Sequence, residues 1–344
     1  MRRASKLILV LMLALAAFGL IDPAPARAIT ISPIRTELKA DPGVTTPAVF
    51  KLFNESDERK TFYITFANFE SKDESGDPVF VPGREGIPSW VEAPASVSID
   101  AKQYQEVAYT ITPPPDAEPG GYFAGIFSGT TAPPEDGQTN IQLEGRAGTL
   151  IFFRVNGDFS EGEKVLEFNT KDKKTFFNRL PVEFFYRFQN SGDDRIKPIG
   201  DITIKNIFGH QSKLINANPT GGSALPKSIR RFEAAWAHGG GGIEETPISP
   251  EKLKDNASFR ETVVWQWQHF ALGRYKAELG VTVNNDASRN YNMTAAFWVV
   301  PWQLLAVIIG ILIVLGAPTL ALITLIILIR RRNKTKLPKP PITD

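Results

Sequence analysis

Leu304–Ile329 is a run of 26 residues without a charged side chain, and Arg330, Arg331 and Arg332 follow it at once. As a helix rising ~1.5 Å per residue it measures ~39 Å, longer than the ~30 Å hydrocarbon core of a bilayer. So uniformly apolar a stretch, placed after a much more polar chain, predicts one membrane span within residues 299–329. Pro318 falls mid-span, where lipid-embedded helices tolerate it better than soluble ones do. Trp298 and Trp302 stand where an interfacial aromatic belt belongs. Arg330, Arg331 and Arg332, with Lys334, Lys336 and Lys339, predict that tail 330–344 is cytoplasmic.

The other end carries the complementary signal. Arg2, Arg3 and Lys6 precede the apolar Leu7–Leu20, and Ala26-Arg27-Ala28 fits a small-x-small cleavage site. Residues 1–28 are expected to be a secretory signal, with the exported chain beginning near Ile29. The expected location is the plasma membrane: single-pass, N-terminal domains outside, tail inside. No cysteine is present, so neither a disulfide nor an acylated lipoprotein cysteine is available. A net charge of +2 gives no strong field for nucleic acid.

Between the two ends the pattern is of short strands. With 26 prolines and 27 glycines, turn signals come at close spacing. Segments 46–56 and 60–70 alternate apolar and polar, with Phe62, Ile64 and Phe66 on one face. Segments 96–100 and 103–112 continue the pattern, and 146–157 is apolar enough to lie centrally. The second half repeats the plan. Asn190 ends a strand as Asn54 does, and Gly273-Arg274-Tyr275 opens a late strand as Gly120-Gly121-Tyr122 does. Tyr122 and Tyr275 are candidate corner tyrosines whose hydroxyls bond nearby backbone. The expected fold is all-β: two tandem immunoglobulin-like β-sandwiches, residues 29–158 and 159–298, followed by one transmembrane helix.

Chemistry is sparse. His210, His238 and His269 do not follow zinc-site spacing. The run His238–Gly242 resembles an esterase oxyanion loop but lacks the nucleophile elbow and the α/β chain that loop requires. Asp73, Glu74 and Asp77 surround Gly76; oxygen ligands on a loop can hold calcium, but a solvated hairpin tip is the simpler reading. No enzyme, cofactor or metal is expected. Segment 263–270 alternates as a half-buried strand would, placing Trp265 and Trp267 on one face. Core packing fits that pair first, and a partner surface is the functional reading. Trp236, beside the long irregular stretch 233–259, is the better partner contact. Trp90 is expected in the core at a strand start.

The order of signal, two sandwiches, one helix and basic tail resembles the WxL-interacting proteins of Gram-positive bacteria. The resemblance lies in "ITISPIRTELKADPGVTTPAVFKLFNES", "FANFESKDESGDPVF" and "DAEPGGYFAGIF" of the first half. In the second half it lies in "ALPKSIRRFEAAW" and "FALGRYKAELGV". The closing strand carries fewer glycines than that family's, and Pro226-Lys227-Ser228 lacks its fuller Asn-Ser signature. The resemblance implies a first domain that contacts peptidoglycan and a second that contacts a secreted partner. It transfers no ligand residue. The expected function is therefore a non-enzymatic, membrane-anchored scaffold that binds cell-wall polymer or a secreted surface protein. The alternative is a membrane-tethered, chaperone-like assembly factor that acts by β-strand augmentation.

Overall fold

The computed structural model describes residues 29–81, 83, 85–133, 146–238, 243–244, 253–283 and 286–334. The expected signal segment, the glycines 239–242 and the tail beyond residue 334 lie outside the described residues. The chain divides into two compact units, Met1–Glu70 with Val79–Asp158, and Ser71–Pro78 with Phe159–Asp344. Each unit is a two-sheet sandwich, and a long helix closes the second.

In the first unit, β1 (Ile29–Ser32), β3 (Thr46–Asn54), β8 (Tyr104–Ile111) and β6 (Val91–Glu92) form one sheet in the order β1-β3-β8-β6. The facing sheet takes β2 (Arg35–Ala40), β10 (Ala147–Val155), β9 (Gly120–Gly129), β4 (Lys60–Ser71) and β5 (Pro78–Val81) in that order. β7 (Ser96–Ile99) pairs with β4. The first strand changes sheets between β1 and β2. Pro33, which has no N–H to give to a ladder, stands at the crossing. β1 runs antiparallel to β3, whereas β2 runs parallel to β10.

Alternation fills the core, as the sequence predicts: Phe50 and Leu52, Phe62 and Ile64, and Ile151 and Phe153 all point inward. Trp90 ends a one-turn helix, α1 (Ile87–Trp90), rather than starting a strand, and packs on Tyr122 at 4.5 Å. The glycine-rich β9 has a packing reason. A Cβ on Gly125 would lie 2.8 Å from the Phe80 ring and 2.9 Å from that of Phe127. The bare backbone leaves room for these two rings, which meet edge to face at 4.7 Å over Gly125.

The second unit repeats the topology. β11 (Glu163–Thr170), β13 (Val182–Asn190) and β16 (Ser228–Trp236) form one sheet in the order β11-β13-β16. The other contains β12 (Phe176–Phe177), β19 (Asp286–Val299), β18 (Gly273–Val283), β14 (Pro198–Asn206), β15 (Gln211–Asn216) and β17 (Ile243–Glu244), in that order. Again the first strand splits. β11 pairs antiparallel with β13, then β12 pairs parallel with β19 after a 3-10 turn at Lys171–Lys173.

The two signals shared by the halves are structural. Asn54 and Asn190 are buried at equivalent strand ends. Asn54 Nδ2 donates to the carbonyls of Glu58 (2.8 Å) and Ile99 (3.0 Å). Asn190 Nδ2 donates to those of Asp194 (2.8 Å) and Ala224 (3.0 Å), while its Oδ1 accepts from Gly192 N (2.9 Å). The tyrosines behave as predicted from their position. Tyr122 donates to the Glu118 carbonyl at 3.0 Å and Tyr275 to the Leu272 carbonyl at 3.2 Å. Removing the hydroxyl by Tyr275→Phe is expected to cost about 1 kcal/mol, seen as a small fall in Tm. An unchanged Tm would mean that the corner bond adds nothing.

The segment expected to be a strand at 263–270 is helical instead. α2 (Phe259–Gln268) opens with a capping box: Glu261 N donates to Ser258 Oγ at 3.3 Å, and Ser258 N donates to the Glu261 carboxylate at 2.7 Å. This pairing satisfies two of the N–H groups that a helix start leaves without partners. α3 (Trp302–Lys334) begins three residues after β19 ends and is long and apolar enough to cross a membrane.

Candidate partner-binding surfaces

Trp236, Trp265 and Trp267 separate in the structure. Trp236, predicted as an accessible contact, is a core residue: it is 1% exposed and meets Tyr275 edge-on at 4.9 Å. As the last residue of β16 it continues the inward set Phe232, Ala234, Trp236, and its Nε1 donates to the His238 carbonyl at 2.7 Å. Trp265 is 8% exposed and donates to the Leu180 carbonyl at 2.9 Å. Trp267 is 69% exposed. The expected shared face is lost because residues two apart on a helix diverge by roughly 200°, whereas on a strand they align.

The fold brings two of the three histidines together, which their spacing in the chain does not suggest. The rings of His238 and His269 are 5.2 Å apart, and His269 stacks on Trp265 at 4.1 Å. Among the described residues no three metal-ligating side chains cluster. In the acidic loop, Asp73 accepts from Ser75 N at 2.7 Å, and these Ser75 hydrogen bonds hold its carboxyl below the usual range. Glu74 is not a solvated tip residue but accepts from Arg187 Nε at 2.8 Å. Hydrogen bonds from Arg187 depress the Glu74 carboxyl, and Glu74 in turn raises the guanidinium.

β16 ends its sheet, so one side of the strand faces away from β13. Arg231 pairs with Arg187 across the ladder, yet its N–H donates outward, to the Glu74 carbonyl at 2.6 Å. Strand alternation puts the backbone of Glu233 and Ala235 on that same outer side. A cleft of about 650 Å³ lies here, bounded by Asp73, Asn218, Arg230, Glu233 and Ala235. Charges at Arg230, Arg231 and Glu233 mark the strand as natural edges are marked. Burial lowers the Arg230 guanidinium, whose Nη1 donates to the Ser223 carbonyl at 2.7 Å. Sequence reading missed this edge because sheet order is not written in any local pattern.

Gln266 was also missed. It is buried, donates to the Asn178 carbonyl at 2.8 Å and accepts from Leu304 N at 2.9 Å. One amide thus ties α2, the strand connection and the first turn of α3 together.

No protein-family model matches the sequence, and no curated protein does. Solved structures with some likeness include the class 5 fimbriae chaperone CfaA, at 13% identity and a TM-score of 0.35, covering 78% of this chain and 99% of that one. The E. coli chaperone DraB is 11% identical with a TM-score of 0.33, covering 80% of this chain and 98% of its own. The Pseudomonas aeruginosa CupB2 chaperone is 9% identical with a TM-score of 0.30, covering 78% and 100%.

Proposed function

We propose that this chain is a non-enzymatic, single-pass membrane protein that holds a secreted surface protein at the cell surface through the outer edge of β16. In this reading both sandwiches lie outside the plasma membrane, α3 spans it, and Arg330, Arg331 and Arg332 keep the tail in the cytoplasm. The observation that carries the binding role is the outward Arg231 N–H, already engaged by a main-chain carbonyl, beside a cleft flanking Glu233 and Ala235. A partner strand added there would gain main-chain hydrogen bonds, and the cleft would take alternate side chains. The resemblance to WxL-interacting proteins belongs to the same proposal, as does a wall-polymer ligand for the first unit. An assembly factor would use the same edge but release its client.

The test is Glu233→Pro. Its N–H points away from β13, so proline removes no bond of that ladder but blocks strand addition. Full-length protein in detergent is incubated with the proteins secreted by its own cells and, separately, with purified wall sacculi. The expected result is a defined secreted protein retained by the native chain and lost with Glu233→Pro, with Tm nearly unchanged. Retention unaffected by the proline would exclude this edge. Binding to sacculi alone would assign the scaffold to wall polymer.

A further inference from the structure

Among the described residues before α3, the second unit carries all but one of its large exposed apolar side chains at one end. Strand register defines that end, because Gly273 pairs with Val299, Arg274 with Trp298 and Asn206 with Tyr275. Phe176 lies beside Trp298, and both are exposed. The turn after β14 adds Ile207 and Phe208, the latter 81% exposed. α2 is fixed at the same end by its bonds to Asn178 and Leu180, and it presents Phe259 and Trp267 outward. Phe270 and Leu272 follow it, also exposed. The opposite end is defined by Pro198 opposite Val283 and Glu163 opposite Asn190. Among the described residues, Ile199 is the one large exposed apolar side chain there.

This end is also where α3 leaves. Val299 ends β19 and Trp302 begins the helix, a distance of at most ~11 Å in extended chain. The connection has no slack. Leu304 is buried in the unit and held by Gln266, and Trp302 lies 6.4 Å from Phe259, ring to ring. A span in the bilayer therefore brings every residue of this end close to the membrane surface. Aromatic side chains are favoured at that depth, where rings meet acyl chains and polar edges meet headgroups.

We propose that the second unit is seated on the bilayer, with Trp267 of α2 and Phe208 of the β14–β15 turn inserted among the lipid headgroups. The occupant of this apolar end is lipid, and α2 acts as a short interfacial helix beside the span. The inference rests on α3 being a membrane span, which the test reads separately.

The chain has no cysteine, so single nitroxide labels can be placed without altering other residues. Trp267→Cys, Phe208→Cys, Ile199→Cys and Ile313→Cys are each labelled in the full chain. Each is reconstituted into vesicles of phosphatidylcholine and phosphatidylglycerol. Collision with oxygen, which concentrates in lipid, is compared with collision with an aqueous nickel chelate. Ile313 is expected deep in lipid and Ile199 in water. Labels at 267 and 208 are expected at headgroup depth, with nickel collisions severalfold below those at 199. An aqueous reading at 313 overturns the span and the seating with it. Lipid at 313 with either 267 or 208 as accessible as 199 overturns the seating alone.

Discussion

Trp236→Ala is expected to destabilise the second unit by about 3–5 kcal/mol. At about 2–4 °C per kcal/mol for a unit of this size, the Tm falls by roughly 6–20 °C. The ring is enclosed by Tyr275 at 4.9 Å and Phe297 at 6.2 Å, so truncation leaves a cavity among side chains that are themselves packed. The indole also loses its bond to the His238 carbonyl. Trp267→Ala is the control: its ring is exposed, and substitution at such a site shifts stability in detergent by roughly 0.5 kcal/mol or less. Differential scanning calorimetry of both variants settles the assignment. Equal, small shifts would return Trp236 to the surface.

Asn190→Ala is expected to be of similar size, about 3 kcal/mol or more, for a different reason. The asparagine closes the turn after β13 through two donated bonds and one accepted bond, all buried. Alanine leaves the Asp194 carbonyl and the Gly192 N–H without that partner, and each stranded buried group costs about 1–3 kcal/mol; the Ala224 carbonyl loses one of two donors and keeps Ile196 N at 2.9 Å. Asn190→Asp separates the contributions, since a carboxylate still accepts from Gly192 but cannot donate. Its loss should fall close to that of alanine if the two donated bonds dominate. A loss under about 1 kcal/mol for Asn190→Ala, read from urea unfolding, would show that water replaces the amide.

The parts of the fold legible in the chain are those set by local chemistry. Alternation in 46–56 and 60–70 places Phe50, Leu52, Phe62 and Ile64 inward, because strand side chains change face at every residue. Asn54 and Asn190 announce the same turn because an amide can both donate to and accept from nearby backbone. Gly-x-Tyr at 120–122 and 273–275 marks the same strand start in each unit, with both tyrosines bonded as their positions predict. The capping box Ser258-Phe-Arg-Glu261 was equally legible and outweighs the alternation that suggested a strand at 263–270. Three apolar–polar alternations cannot tell a strand from a short helix, whereas a side chain three residues away that closes on the cap can.

By itself the sequence determined an all-β body built twice and one apolar helix long enough to span a bilayer. Those follow from side-chain period, turn residues and hydropathy, which act over a few residues. Only the tertiary structure decided that Trp236 is core while Trp267 is exposed, that His238 meets His269, and that β16 is an edge. It alone gathered Phe176, Phe208, Trp267 and Trp298 at the end from which α3 departs. These residues come from strand pairings and connections far apart in the chain. The register that aligns them is fixed by burial of both sheets together, and no local pattern records it.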